Sequence, residues 1–518
     1  MANQIGSASG LEDLFGKIVS FLTTNAALVA ANQEWEVLRV RRDNLLSCTS
    51  NLATPSNANY RRIIQTCRYD SRSLNSDNPA ANDYRGTYLS GSTGTWTAGS
   101  NVTWRFRQAR EVKTVRLQAP IYASVSYYMF KNFRLQYSDD GSTWTTALTV
   151  SSTPNYSVAE WRDFAVSGTP GAHEYWRILQ DTVQTGTQVA WSALMLLEAD
   201  GTVANQFGSE VLFKARGNAG TDAIYTGIRS EYDDTAGWYN LFLNGYTGHD
   251  PSEQSWFRQP GALPGFESGA SRVVPMVPCW NSAMPYWFAA SGRSFRMGLK
   301  VSTVYEGAYL GFILPWATPG QYPYPLAVGG SMAPSDVATD RSSLWRYSAT
   351  SQRHGVFPGP GVSREGGYNS NEPYPNWSSL YLRLPDGTWK AFQNRPAYGS
   401  DTEGVQGPTF NSYYPYNING GSPCSVWPHC VNMSYGGWNS GMKPWRECLG
   451  GGYLFQPVIL LAGTAGPQVY GEFEGVYAVS GYQNGAENTS TVDGTPVVIM
   501  QNAYRTTVHE FWAMSLDA

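Results

Sequence analysis

The pattern of apolar and polar positions predicts a helix at the start of the chain and β-strands along most of the rest. In residues 9–24 apolar side chains recur every three or four positions, which is the spacing of one helix face. Ser9 followed by Glu12 predicts a capping box, and a second short turn is predicted from Asn25 to Ala31. We expect this face to pack on a sheet; the alternative is a helix that docks into a neighbouring subunit. Its apolar positions are Leu11, Leu14, Phe15, Ile18, Val19 and Leu22.

Beyond Gly86 the chain consists of short alternating segments separated by Gly, Pro, Asn or Asp, which predicts β-strands in a sandwich or jelly roll. The clearest is "LQYSDDGSTWTTA" (Leu135–Ala147), where two alternating flanks enclose an Asp-Gly step that favours a hairpin turn. Residues 48–88, in contrast, are loop-like in composition. Other predicted strands are "EWEVLRV", "TWRFRQ", "KTVRLQA", "YWRILQD", "WSALMLLE", "EVLFKARG", "TPVVIMQNA" and "TVHEFWAMSL".

Composition narrows the function classes. The net charge of −4 provides no basic surface for nucleic acid, so no nucleic-acid partner is expected. Aromatic residues reach 14% and charged residues only 15%, a balance that suits strands, interfaces and sugar-binding platforms. We see no signal peptide and no membrane-spanning apolar run.

The six cysteines are too sparse for a disulfide scaffold, so mostly reduced, buried thiols are predicted. The cluster "CSVWPHC" with Cys448 offers a second interpretation, a zinc site, although it lacks paired C-x-x-C spacing. The cysteines are Cys48, Cys67, Cys279, Cys424, Cys430 and Cys448, and the histidine of the cluster is His429.

The middle of the chain resembles the discoidin family of jelly rolls, the coagulation-factor C-type domains. The resemblance rests on "FRLQYSDDGSTWTTA", then "YWRILQD", then "AWSALMLLEADG", with "ANDYRGTYLSGSTGTWTAGSNVTWRFRQ" upstream. It implies a β-sandwich whose loops at one end bind glycans, lipid headgroups or protein. The tyrosines that the resemblance places in such loops, or that alternatively cover the end of the sandwich, are Tyr122, Tyr127, Tyr128 and Tyr156.

Many discoidin-like domains also hold a structural calcium through an acidic residue of the closing strand. Here Ala193 stands near that place and Glu198 follows five residues later, so no metal or other cofactor is assigned. The Asn- and Asp-rich stretches "DYRGTY" and "DSRSLNSDN" have oxygen ligands for a hard cation, but such loops form without a metal in most proteins.

The flanking regions resemble a family of virion structural proteins of tailed bacteriophages. The resemblance lies in "GLEDLFGKIVSFLTTNAALVAANQEWEVL", "GRSFRMGLKVSTVYEGAYLGFILPWATPGQYPYPLAVGGS" and "GVYAVSGYQNGAENTSTVDGTPVVIMQNAYRTTVHEFWAMSL". It implies a virion location after assembly in the host cytoplasm, contacts with other virion proteins and a homo-oligomer.

Together the two resemblances predict a mainly β protein with a discontinuous domain. Residues 1–47 supply its helix and first strand, a discoidin-like sandwich is inserted at 48–201, and residues 202–518 complete the larger β domain, with two subdomains as an option. Because inserted domains are tolerated where their termini lie close together, we expect "EVLRV" and "EVLFK" to pair as neighbouring strands.

No catalytic motif is found. Glu472 and Glu474 in "YGEFEG" alternate along one strand and offer a glycosidase-like pair, but carboxylates at the rim of a sheet are far more often solvated. The sequence therefore predicts a non-enzymatic tail or baseplate component with an outward-facing discoidin-like domain. The alternatives are a host-polysaccharide-binding adhesin, a head or neck decoration protein and, last, a polysaccharide hydrolase.

Overall fold

The protein is built mainly of β-strands in several antiparallel sheets, with two helices near its N-terminus. The computed structural model describes residues 2–50, 87–89, 98–119, 130–157, 160–183, 189–191, 193–233, 238–253, 256–263, 275–318, 320–331, 380–392, 424–427, 453–462, 468–479, 485–501 and 511–516. The helices are α1 (Leu11–Thr24) and α2 (Ala26–Ala30). The strands are β1 (Ala2–Ala8), β2 (Glu36–Arg41), β3 (Leu45–Ser50), β4 (Thr87–Leu89), β5 (Asn101–Arg110), β6 (Thr114–Gln118), β7 (Phe130–Ser138), β8 (Thr145–Val150), β9 (Trp161–Ala165), β10 (His173–Val183), β11 (Val189–Trp191), β12 (Ala193–Leu197), β13 (Glu210–Ala215), β14 (Ile224–Asp233), β15 (Trp238–Tyr246), β16 (Met276–Cys279), β17 (Met284–Ala290), β18 (Ser294–Val301), β19 (Val304–Phe312), β20 (Leu314–Pro315), β21 (Leu326–Gly330), β22 (Leu380–Arg383), β23 (Trp389–Phe392), β24 (Cys424–Trp427), β25 (Phe455–Ala462), β26 (Gln468–Val479), β27 (Thr489–Val492), β28 (Thr495–Gln501) and β29 (Phe511–Ser515).

The larger β region contains three sheets that share two cores. Sheet A has the order β1-β17-β18-β19-β21-β22-β23, sheet B the order β16-β15-β14-β13-β2, and sheet C the order β24-β25-β26-β29-β28-β27. Along β17, Tyr286 and Phe288 enter the core shared with α1 and sheet B, whereas Trp287 and Ala289 enter the core shared with sheet C. Because successive side chains of a strand point to opposite faces, a sheet covered on both faces needs an unbroken apolar run. The segment "MPYWFAA" is such a run.

The predicted N-terminal helix is confirmed, and its apolar face packs within the chain's own core, as the packing interpretation expected. The predicted capping box is wrong. Gly10 occupies the N-cap, and Asp13, not Glu12, accepts from the backbone N–H of Ser9 at 2.7 Å. The following turn is confirmed as α2, where Asn25 caps the helix by accepting from the N–H of Ala27.

The segment Leu11–Ala30 is long and apolar enough, by length and composition alone, to cross a membrane. Packing accounts for that composition, because Leu14, Phe15 and Leu22 are completely buried between the helix and the sheets. Asn25, with extended backbone, also separates α1 from α2. In this structure the segment is a core element.

The predicted pairing of "EVLRV" with "EVLFK" is confirmed. Strand β2 pairs antiparallel with β13, so that Arg41, where the chain leaves sheet B, lies opposite Glu210, where it returns. The two connecting segments also touch each other, since the N–H of Asn44 donates to the carbonyl of Gln206 at 3.1 Å. The ends of the insertion are therefore adjacent, while its boundaries at 48 and 201 stay a prediction.

The inserted part is a β-sandwich with its own core. Its front sheet has the order β3-β5-β10-β7-β8 and its back sheet the order β12-β6-β9. Their inner faces enclose one apolar cluster, in which Trp104 and Trp176 are completely buried. The predicted hairpin is confirmed as β7 and β8, with Leu135 opposite Leu148 and the loop 139–144 between the strands.

Two further features differ from the sequence-based expectation. Strand β1 was not predicted, although it forms the edge of sheet A beside β17. Its side chains are small or polar apart from Ile5, so the apolar alternation that marks a strand is missing. Cys48 forms a disulfide, whose partner sulfur lies outside the described residues, whereas free thiols were predicted; Cys279 is a buried free thiol as expected.

Candidate functional site

The sandwich has two distinct ends. At the end that we call the junction end, the chain enters and leaves the insertion through residues 42–45 and 203–209. At the opposite end, which we call the loop end, Phe130 of β7 lies beside Val183 of β10, and Gln118 of β6 lies beside Trp161 of β9. The connections 120–129 and 151–160 therefore both belong to the loop end.

Three of the four predicted sugar-binding tyrosines, Tyr122, Tyr127 and Tyr128, lie outside the described residues. The ends of their connection are described, however. It starts after Ala119 of the back sheet, whose N–H donates to the carbonyl of Glu160 at 2.8 Å, and it ends at Phe130 of the front sheet. The two described ends of the connection thus lie on different sheets at the loop end, and the role of its tyrosines stays a prediction.

The fourth predicted residue, Tyr156, is a core residue in this structure. Only 4% of it is exposed, and the guanidinium of Arg162 lies over its ring at 3.9 Å from the ring centre. Burial raises the pKa of the Tyr156 hydroxyl. With one ring face toward Arg162 and the remainder in the core, Tyr156 has no open face on which a sugar could stack, so it supports the loop from beneath.

Among the described residues of the loop end, Trp161 is an exposed aromatic side chain that sequence analysis missed. It is the first residue of β9, and 40% of it is exposed. Alternation along β9 turns Arg162 inward and leaves Trp161 and Asp163 on the outer face of the back sheet. The available signal was the pattern "WRDFA". In it, Trp161 shares the face of the strand with the charged Asp163 and not with the apolar Phe164.

The hairpin loop at the junction end is held by Asp140. Its carboxylate accepts from the N–H groups of Thr143 and Ser142, each at 2.7 Å, and from the hydroxyl of Ser138 at 2.8 Å. These bonds, led by that from Thr143, hold the pKa of Asp140 well below its usual range. The loop thereby places the ring of Trp144 against the guanidinium of Arg177, whose Cζ lies 4.0 Å from the ring centre. We interpret this stack as a structural contact that holds the hairpin on the front sheet.

A polar cluster joins the sandwich to the larger region at the junction end. Asp43 accepts from the hydroxyl of Tyr232 at 2.6 Å and from Nε of Arg107 at 3.1 Å, and Nη2 of Arg107 donates to the Tyr232 hydroxyl at 2.8 Å. Arg107 belongs to β5 of the sandwich, whereas Tyr232 belongs to β14 of sheet B. Burial raises the pKa of Asp43, against the effect of these donors. Next to it, Glu12 of α1 accepts from the hydroxyls of Ser209 and Ser230.

The candidate metal ligands named from the sequence are either paired with other residues or outside the described part of the chain. Glu198, the acidic residue considered for calcium, faces Arg110 at 3.5 Å. Among the described residues there is no group of three or more His, Cys, Asp or Glu that could hold a metal ion. Of the four candidate zinc ligands, His429, Cys430 and Cys448 lie outside the described residues, and of Cys424 only the backbone is described, in β24. The stretches "DYRGTY" and "DSRSLNSDN" also lie outside them, apart from the backbone of Thr87 and Tyr88 in β4.

The two glutamates considered as a glycosidase pair have different environments. Glu474 is buried, accepts from Nη2 of Arg293 at 2.9 Å and is bound by the hydroxyls of Ser291 and Ser294. Burial raises the pKa of Glu472, which also accepts from the indole of Trp316. A carboxylate that is fully occupied by structural partners cannot act as a nucleophile or base, so Glu474 is a structural residue in this arrangement.

Comparison with known proteins gives matches only among solved structures. No family model and no curated protein matches the chain. A family 32 carbohydrate-binding module from Clostridium perfringens, solved with GalNAc-β-1,3-galactose, is similar at 9% identity and a TM-score of 0.20, covering 29% of this chain and 91% of the module. The module of Streptococcus pneumoniae EndoD matches at 14% identity and a TM-score of 0.20, covering 30% and 99%. That of AlyQ, solved with 4,5-unsaturated mannuronic acid, matches at 11% identity and a TM-score of 0.21, covering 31% and 99%.

Proposed function

We propose that the inserted sandwich is a glycan-binding module carried by a non-enzymatic β protein. The observation that supports this proposal is the arrangement of the loop end. Exposed Trp161 stands there opposite Gln118, the last residue of β6, after which the chain continues into the segment that carries Tyr122, Tyr127 and Tyr128. The opposite end of the sandwich is occupied by the polar junction with sheet B.

The chemistry of an aromatic loop end suits saccharides. The C–H faces of a pyranose ring are apolar and pack on an aromatic ring, while its hydroxyls need polar partners at the edge of the platform. Rigid strands beneath such a site limit the entropy that binding costs. The described part of the loop end rests on β6, β7, β9 and β10, and Tyr156 with Arg162 supports it from below.

Binding of the full-length protein to a printed panel of neutral and acidic glycans tests the proposal. We expect saturable binding to at least one class, weakened about tenfold when Tyr127 and Tyr128 are both replaced by Ala. Trp316→Ala is the control, because Trp316 is 53% exposed but lies in the larger region beside β26. A protein that binds no glycan on the panel, or a double variant that binds as tightly as the parent, contradicts the assignment.

The proposal places this module on the virion of a tailed phage, in a tail or baseplate component that is a homo-oligomer with other virion proteins as neighbours. The support is the sequence resemblance of the flanking regions, which lies in the segments that form α1, β18 to β21 and β26 to β29. Gold-labelled antibody against this chain should decorate one defined feature of intact particles. Particles without label, with the protein found only in the unassembled fraction, count against the virion role.

A further inference from the structure

Three polar or aromatic groups from two parts of the chain meet at the outer face of the back sheet. Trp161 and Gln118 are directly opposite each other on β9 and β6, so their side chains leave the same face about 5 Å apart. Nη1 of Arg258, from the segment after β15, donates to Oε1 of Gln118 at 3.1 Å. The exposed indole therefore has a guanidinium as a near neighbour.

The segment that carries Arg258 is firmly held. Trp256 is completely buried, and its carbonyl accepts from the hydroxyl of Tyr246 at 2.6 Å. The N–H of Thr247 donates to the carbonyl of Pro260 at 2.8 Å, which closes the segment on itself. Arg258 is thus presented by a fixed backbone, and only its side chain must be ordered on binding.

Arg258 also differs from the neighbouring arginine of the same face. Arg116, two residues before Gln118, is matched by Asp163 through two bonds of 2.7 Å. No carboxylate lies within ion-pair distance of Arg258 in the part of the chain that the structure describes. A guanidinium has five N–H donors, and the described residues offer Arg258 one acceptor, the amide oxygen of Gln118, which leaves most of the donors for a ligand.

We propose that Trp161 and Arg258, with Gln118 as a positioning residue, form a site for a saccharide that carries a carboxylate. This inference rests on the proposed glycan-binding function and adds the ligand class and a contribution from outside the sandwich. The indole stacks on the pyranose ring, and the guanidinium binds the sugar carboxylate through paired N–H···O bonds. Gln118 holds the guanidinium beside the platform.

The test measures calorimetric affinities of the full-length protein for three acidic probes: tetragalacturonate, tetramannuronate and 3′-sialyllactose. The neutral counterparts are the methyl esters of the two uronates, and lactose. We expect at least one acidic probe to bind tenfold or more tightly than its neutral counterpart, since bonds to charged groups are the stronger class. That preference should weaken as salt concentration rises.

Variants separate the roles. Arg258→Ala should reduce acidic-probe affinity at least tenfold and so abolish the preference for acidic over neutral probes, whereas Trp161→Ala should weaken the binding of both. Gln118→Glu places a carboxylate on Arg258 and should abolish the acidic preference while the thermal midpoint stays at or above that of the parent. The matched controls are Arg105→Ala, which removes an arginine already paired with Glu174, and Trp316→Ala.

The outcomes distinguish the two proposals. If probes bind but Arg258→Ala and Gln118→Glu leave the acidic preference intact, the interdomain site is refuted and the glycan-binding function stands. If no probe and no glycan of the wider panel binds the parent, the proposed function itself fails. Circular dichroism and thermal midpoints of every variant show whether a loss of binding is a loss of folding.

Discussion

Glu474 is a single carboxylate that connects two sheets. It belongs to β26 of sheet C, but it binds Arg293 and two serines in and beside the turn between β17 and β18 of sheet A. Burial opposes its ionisation, yet the charges of Arg296 and Arg293 and the bond from Ser294 outweigh burial and lower the pKa of Glu474. The ionised form therefore stabilises the fold above the ordinary glutamate pKa, and this contribution is lost as pH falls through the lowered value.

We expect Glu474→Gln to reduce the free energy of unfolding at pH 7 by about 3 kcal/mol, since it removes the charge of a buried carboxylate that pairs with Arg293. The part of the acid dependence that comes from this carboxylate should disappear with it. Urea unfolding at pH 7 and pH 4 measures both effects. Glu487→Gln is the control, because Glu487 pairs with Lys300 near the surface and should cost less than about 1 kcal/mol. Equal losses for the two variants would contradict a structural role for Glu474.

At the scale of elements, the hairpin β7–β8 depends on a glycine at a tight position. Gly141 has a φ of +71°, and a Cβ there would meet the ring of Tyr175 at 3.1 Å. Gly168, in the connection from β9 to β10, has a φ of +79° with nothing within 4 Å. An alanine at either position would have a strained, positive φ. Only at Gly141 would its Cβ also contact another side chain.

We expect Gly168→Ala to cost about 1 kcal/mol from strain alone, and Gly141→Ala to cost about 1 kcal/mol more because the ring of Tyr175 must move. Thermal unfolding followed by tryptophan fluorescence measures the difference. Equal midpoints for the two alanine variants would show that the loop adjusts without disturbing the front sheet.

At the scale of the whole molecule, the pairing of Arg41 with Glu210 makes the insertion removable in principle. We expect a chain in which residues 48–201 are replaced by a short Gly/Ser bridge to stay soluble and to unfold cooperatively, since closing a short loop costs little entropy. Its midpoint should fall, because Asp43 and Tyr232 lose Arg107. Arg107→Ala in the full chain isolates that loss. Aggregation of the deletion variant alongside a well-folded Arg107→Ala protein would mean that the two parts share a core.

The sequence by itself determined the helices, turns and strands that depend on residues close together in the chain. Helix α1, the hairpin β7–β8 and the strands "EVLRV" and "EVLFK" follow from periodicity and turn chemistry, which operate over a few residues. The pairing of those two strands with each other also followed, because an inserted domain requires adjacent ends. Strand β1 was missed for the same reason, since its small and polar residues carry no alternation and its place beside β17 is a long-range contact.

Tertiary structure decided which side chains face solvent and which distant residues meet. Tyr156 and Trp161 are five positions apart and equally aromatic, but one lies under Arg162 in the core and the other lies on the outer face of β9. Glu12 has the spacing of a capping residue, yet the approach of Ser209 and Ser230 gives it buried partners instead. Arg258 reaches Gln118 across 140 positions of sequence. Burial and such contacts depend on the packing of whole sheets, and no local pattern encodes them.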